Sequence, residues 1–243
     1  MKRYYEGHEQ VYQRLDADGV DCWGRDDFDN VHMLGFLREA LGRTNLGERP
    51  QAQALVIGCG TGPLACELSR QGYQVIGMDI SPTAIHMARQ QAAKRGLTID
   101  YRVGDLCRDP LDARRYDVIV DSHCLHCIVP EEDRRRALDS IHDALTDDGF
   151  FILETMMGQL RTDTIETDEE GIVWTAYGNE MPSFQPRVER RGQWFVPQRR
   201  LRPTAAALDE ELQARDLRIV WRHIHETTSE DDTADYQAIC QRA

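Results

Sequence analysis

The stretch ALVIGCGTGPLACELSRQGYQVIGMD, residues 54–79, constrains the fold more than any other part of the chain. An apolar run, ALVIG (54–58), enters a turn with glycine at 58, 60 and 62; the amphipathic run PLACELSRQG (63–72) follows, and a second apolar run, YQVIGMD (73–79), ends on an acid. Strand, glycine turn, helix and strand in that order make a crossover unit, because parallel neighbours cannot be joined by a hairpin and the connection is right-handed. The rhythm continues. SPTAIHMARQQAAKRG (81–96) reads as a helix with Ser81 as N-cap and Pro82 in its first turn, TIDYRVGD (98–105) and YDVIVDS (116–122) as strands, EEDRRRALDSIHDAL (131–145) as a helix and GFFILETM (149–156) as a strand. The expectation is an α/β, doubly wound sheet whose ligand crevice lies beyond the carboxyl ends of its strands.

Two regions fall outside this rhythm. Residues 1–45 read as two helices, the second carrying Val31, Leu34, Leu37 and Leu41 at helical spacing after Asp26 or Asp27 as cap. Residues 157–200 read as irregular and rich in charge and aromatic side chains; beyond them a helix over 202–217 and an antiparallel strand pair, 218–227 and 234–242, are expected. At 243 residues one domain suffices. The net charge of −13 argues against nucleic acid, which is held mainly through Lys and Arg. No apolar run reaches the roughly 18 residues of a membrane span, no signal peptide opens the chain, and seven cysteines are an odd number, so a cytoplasmic location with reduced thiols is expected. A small molecule is the default substrate, with monomer and homodimer both left open.

The glycine turn lets the backbone approach a ligand at a helix N-terminus. It is not the dinucleotide fingerprint, which needs a glycine where Pro63 stands, nor a Walker A loop, which needs Gly-Lys-Ser/Thr. Asp79, 17 residues past Gly62, is the acid a ribose diol asks for at the end of the second strand. Taken in order, VIGCGTG, GMDIS, VGDL and YDVIVDSHCLHCI resemble the class I S-adenosylmethionine-dependent methyltransferases over roughly residues 50–156. The resemblance implies a seven-stranded, mostly parallel sheet of order 3-2-1-4-5-7-6 with the last strand antiparallel, and S-adenosyl-L-methionine as cofactor. It also implies that Gly58, Gly60 and Gly62 border the methionine and ribose, that Asp79 takes the ribose hydroxyls, that Asp105 and Leu106 hold adenine, and that Ile80 packs on its face. One position departs: most members have an acid two residues before the first loop glycine, and here Val56 stands there. With GCG following and GYQVIGMDIS downstream, this is similar to the thiopurine and thiol methyltransferase branch.

DSHCLHCIV, residues 121–129, concentrates metal-ligand types. A strand would divide them between two faces, and if the stretch curls into a loop after Ser122 no second ligand pair exists elsewhere along the chain, so no metal is expected. In the resembled family this stretch forms the floor between cofactor and acceptor. Asp121 and Ser122 are then candidates to contact methionine or substrate, and His123 and His126 to act as base. The N-terminal helices, with Tyr4, Tyr5, His8 and Tyr12, are candidates for a lid, and Tyr5, His8, Trp174, Tyr177, Asn179 and Arg187 for substrate contacts. The expected organisation over 1–243 is a lid (1–45), a cofactor core (50–156), a substrate-side insertion (157–203) and a C-terminal helix with its strand pair (204–243). The expected reaction is methyl transfer to a small-molecule sulfur, nitrogen or oxygen. The alternatives are another use of the sulfonium, by cyclisation or aminocarboxypropyl transfer, and a non-catalytic cofactor- or metal-binding protein.

Overall fold

The computed structural model describes residues 2–3, 5–23, 27–49, 51–113, 115–162, 164–177, 184–190, 192–226 and 232–243. Its main sheet is formed by β1 (Gln53–Ile57), β2 (Gln74–Asp79), β3 (Asp100–Val103), β4 (Tyr116–Ser122) and β5 (Leu145–Gln159), with β10 (Leu217–Glu226) and β11 (Asp232–Arg242) from the C-terminal end. The order is β3-β2-β1-β4-β5-β11-β10. β1 pairs in parallel with both β2 and β4, and β11 runs antiparallel to both β5 and β10. This is the expected order 3-2-1-4-5-7-6, with the sixth and seventh strands of the sheet numbered β10 and β11. The order reverses between β1 and β4, which opens a crevice at their carboxyl ends.

Both faces of the sheet are covered, which is why its strands read as nearly continuous apolar runs. Val56, Val118, Val120 and Ile152 point to one face, where α2 (Met33–Gly42), α3 (Pro63–Arg70) and α4 (Pro82–Lys94) supply Leu37, Leu64, Ala65, Ile85 and Ala88. Leu55, Ile57, Ile119, Phe151 and Leu153 point to the other, against Leu138 and Ile141 of α5 (Glu131–Ala144) and Leu208 and Leu212 of α6 (Ala205–Gln213). α1 (Glu6–Ala17) lies on α4, with Tyr12 and Leu15 packed against Ala84 and Met87. Ser81 caps α4 as expected, its Oγ accepting from the Ala84 N–H at 3.0 Å.

Three expectations are corrected. The stretch 157–200 is not irregular: β6 (Ile165–Thr167), β7 (Ile172–Tyr177), β8 (Val188–Arg190) and β9 (Gln193–Arg200) form a second, four-stranded antiparallel sheet. Its alternation is obscured because the ladder between β7 and β9 shifts register between Pro197 and Arg199, the irregular kind of place where a sheet tolerates proline. Asp27 caps a single 3-10 turn, Phe28–Asn30, through the Asp29 N–H at 3.1 Å, rather than the helix that begins at Met33, and Asp26 lies outside the described residues. The C-terminal helix is Ala205–Gln213, not 202–217; Thr204 fixes its start by accepting from the Ala207 N–H. None of the seven cysteines forms a disulfide, and among the described residues no helix is long and apolar enough to cross a membrane.

Candidate active site

β1 runs out at Ile57 into Gly58, whose φ of +56° belongs to the left-handed region that side chains disfavour. A Cβ there would stand 2.6 Å from the Cβ of Cys124, and one on Gly60 (φ +53°) 2.7 Å from the Tyr12 hydroxyl. The loop is thus pressed between the turn after β4 and helix α1. Asp79, at the end of β2, is buried; Oδ2 accepts from the Gly60 N–H at 2.8 Å and Oδ1 from the Ser81 N–H at 2.9 Å. Burial raises its pKa, and these amide bonds oppose the rise. Ile80 and Ser81 line a cavity of about 290 Å³ together with Tyr5, Glu9 and Pro82. Glu9 ties α1 to this point, accepting from the hydroxyls of Ser81 at 2.6 Å and Thr83 at 2.5 Å. On the next strand, the Gly104 N–H donates to the Asp79 carbonyl at 3.0 Å, Asp105 Oδ1 accepts from the Cys107 N–H at 3.0 Å, and Leu106 is buried.

The turn after β4 faces the same loop. Asp121 is the register partner of Ile57 and is 1% exposed; Oδ1 accepts from the Cys124 N–H at 2.9 Å, while Oδ2 has no hydrogen-bond partner. Loss of water pushes its pKa up to about 7. Ser122 donates to Glu154 Oε2 at 3.2 Å. The chain then leaves the strand at His123 (φ +65°) and makes a 3-10 turn, Leu125–Cys127, so the two histidines meet at 5.3 Å between ring centroids instead of lying on opposite faces. Their situations differ. His126 is buried, and its Nδ1 accepts from the Met156 N–H at 3.2 Å beside the Thr155 hydroxyl, which leaves the proton of the neutral ring on Nε2; burial holds its pKa well below the usual value. His123 donates its backbone N–H to the Glu154 carbonyl at 2.8 Å, but its Nε2 is buried without a partner, 4.0 Å from Glu154 Oε2. Burial lowers its pKa, and the carboxylates of Glu154 and Asp235 work the other way.

Three groups escaped the sequence reading. Glu154 is buried on β5, and a charged residue inside an apolar strand was a signal for it, since such groups are seldom buried unpaired. His32, just before α2, sits 5.8 Å from His123 between ring centroids. Arg199, on β9, directs its positive charge at His8, His123, His126 and Cys127, and among the described residues no carboxylate pairs with it. No spacing in the sequence ties His32 or Arg199 to the turn.

The expected substrate contacts are dispersed. The Trp174 indole N–H donates to Asp168 Oδ2 at 2.7 Å within the second sheet, and Arg187 stacks over Trp194 at 4.8 Å. Tyr177 pairs with Trp194 through the backbone; its side chain, like Asn179 and Tyr4, lies outside the described residues. Tyr5 lines the small cavity beside Ile80, and His8 stands 5.8 Å from Trp23 between ring centroids, its pKa lowered by burial and by Arg199. A cavity of about 770 Å³ lies apart from the glycine loop, among Glu131, Arg135, Glu170, Arg200, Arg202 and Glu211.

A sheet of this order, with a glycine loop after its first strand and a buried acid at the end of its second, is the architecture of the class I, Rossmann-like methyltransferases. Residues 54–149 match the methyltransferase domain model. A protein of Geobacillus sp. named as a methyltransferase is 26% identical over 157 residues; the match spans 62% of this chain and 62% of that relative's length. Among solved structures, the CcbJ methyltransferase of Streptomyces caelestis superposes with a TM-score of 0.66 at 18% identity, over 97% of this chain and 99% of that one. The 1,6-didemethyltoxoflavin-N1-methyltransferase of Burkholderia thailandensis, whose structure holds 1,6-didemethyltoxoflavin and S-adenosylhomocysteine, superposes with a TM-score of 0.60 at 16% identity, over 100% and 92%. At these identities the structural likeness is one of fold.

Proposed function

We propose that the chain transfers the methyl group of S-adenosylmethionine to a small-molecule nucleophile. The observation that carries the proposal is Asp121. Its Oδ2 is buried and unpartnered beside the glycine loop, in a chain whose Val56 occupies the place where most members of the resembled family have an acid. A cationic amine is the partner such a carboxylate lacks, and the ammonium of the cofactor's methionine end supplies one. In this reading Gly58, Gly60 and Gly62 border the methionine and ribose, Asp79 takes the ribose hydroxyls, and Asp105, Leu106 and Ile80 enclose adenine. Ser122 lies at the methionine end. Residues 1–45 form a lid latched by Glu9, with Tyr5 and His8 on its inner side, and 157–203 form the acceptor side.

Transfer from a sulfonium is an in-line displacement in which positive charge on sulfur disappears. The protein therefore has mainly to align nucleophile and methyl and keep water out, and alignment of this kind supplies up to about 7–11 kcal/mol of barrier reduction. Of the two histidines, His123 is the one whose Nε2 is free to act on an acceptor; His126 spends Nδ1 on Met156 and serves to hold the turn. Arg199 supplies a cation on the acceptor side, which favours an acceptor carrying negative charge. The solved relative that holds 1,6-didemethyltoxoflavin supports a small-molecule acceptor, the net charge of −13 argues against nucleic acid, and seven cysteines without a disulfide suit the cytoplasm.

The test is incubation with methyl-labelled S-adenosylmethionine and panels of small thiols, phenols, amines and carboxylates, read by mass spectrometry. A methylated product that Arg199→Ala loses for anionic acceptors before neutral ones supports the reading. Bound cofactor with no methylated product across the panels, or a cyclised or aminocarboxypropylated product, would overturn it.

A further inference from the structure

Along the sequence, metal-ligand types concentrate in residues 121–129. The fold instead gathers single ligands from three elements: His32 from the segment before α2, His123 from the turn after β4, and Glu154 from β5. One ligand atom from each lies within 4.8 Å of the other two. A tetrahedral ion with bonds of about 2.0–2.1 Å places its ligand atoms roughly 3.3 Å apart, so a pair at the 4.8 Å limit has to close by about 1.5 Å, which side-chain rotations supply. From this we infer that His32, His123 and Glu154 bind a divalent transition ion of the zinc type at the acceptor side of the active site, a role that deepens the methyltransferase reading and rests on it.

Three observations besides proximity support the site. His123 Nε2 is buried yet makes no hydrogen bond, and an orphaned ring nitrogen is costly unless something fills its lone pair. Glu154 is buried, and among the described residues no Lys or Arg pairs with it; its carboxylate is met by the Gln237 amide at 2.7 Å and the Ser122 hydroxyl at 3.2 Å. The ligands are also pre-oriented as metal ligands are. Gln237 and Ser122 fix the Glu154 carboxylate, and the strained φ of +65° at His123, held by the Glu154 carbonyl, turns its ring toward His32. His32 is exposed, which gives an ion access from solvent.

Two histidines and one carboxylate leave coordination positions for water or an acceptor heteroatom, the composition of catalytic rather than structural zinc sites. An ion there lowers the pKa of a coordinated hydroxyl or thiol, so His123 acts on the acceptor as a ligand and not as a base.

The experiment uses the full, tag-free chain, stripped with chelator and titrated with Co²⁺, whose visible d–d bands report its coordination. S-adenosylhomocysteine binding is measured on the same samples as a control of the fold and of the methyltransferase reading. The expected result is one equivalent of Co²⁺, lost in His32→Ala and Glu154→Gln and weakened about 10–100-fold in Gln237→Ala. No Co²⁺ binding, or binding that survives both ligand substitutions, overturns the inference. Failure to bind S-adenosylhomocysteine counts against the methyltransferase reading alone, since the cobalt signal is read independently of it.

Discussion

Asp121→Asn separates what the carboxylate costs the fold from what it does for the cofactor. In the folded protein Asp121 titrates at about 7, whereas an unfolded aspartate titrates near about 3.9. The folded state therefore holds its proton over a range in which the unfolded chain has released it. The favourable contribution is complete below about pH 4 and is lost as pH rises through 7. Between pH 5 and pH 8 the remaining interval to the folded pKa is about 2 units, or about 3 kcal/mol at roughly 1.4 kcal/mol each. Asparagine keeps the bond that Oδ1 accepts from Cys124 and carries no charge, so the advantage of the variant over wild type grows by about 3 kcal/mol between those pH values. For a chain of this size that is a gain of about 6–12 °C in relative melting temperature, read by calorimetric scans at both pH values. S-adenosylmethionine affinity falls in the same variant, because the amide offers no charge to an ammonium. A difference between variant and wild type that does not change with pH refutes the reasoning, as does a cofactor affinity left intact.

Other substitutions probe the scaffold. His126→Phe leaves the Met156 N–H without its acceptor and costs about 1–3 kcal/mol in urea unfolding at pH 8. Because burial lowers the pKa of His126, the stability it contributes is present above about 6.5 and lost as pH falls below it, so the gap between variant and wild type narrows at pH 5.5. Glu211→Gln leaves the buried Arg134 guanidinium without its carboxylate partner and costs about 3–5 kcal/mol in the same measurement. Burial works to raise the pKa of Glu211, but Arg134 and Arg202 outweigh it and hold it at about 2, so the wild-type contribution is complete above about 4.5 and is lost progressively as pH falls from there toward 2. Gly60→Ala forces a side chain into a φ of +53° against the Tyr12 hydroxyl; combining it with Tyr12→Phe recovers about 0.5–3 kcal/mol in a double-mutant cycle.

The parallel core was legible because burial on both faces makes each strand a contiguous apolar run, and because a turn that must bring its backbone close to a ligand declares itself through Gly58, Gly60 and Gly62. Asp79 was legible for a related reason: its distance from the loop is set by one helix and one strand. The second sheet was not, since its strands mix charge with aromatics and the register shifts between Pro197 and Arg199. The surroundings of the two histidines were equally hidden. A strand reading put His123 and His126 on opposite faces, whereas the chain leaves the strand at His123 and folds both rings into contact. Glu154, His32 and Arg199 converge there from elements that only the topology brings together, and among them Glu154 alone left a mark, as an acid in an apolar strand.

The central claim is that the crevice between the glycine loop, Asp79 and Asp121 holds S-adenosylmethionine. Calorimetric titration of the purified chain with S-adenosylhomocysteine, alongside Asp79→Ala, tests it most directly. The account predicts micromolar binding at one site, lost in the variant while its melting transition persists. Absence of binding to the wild-type chain, or binding unchanged by Asp79→Ala, would contradict it.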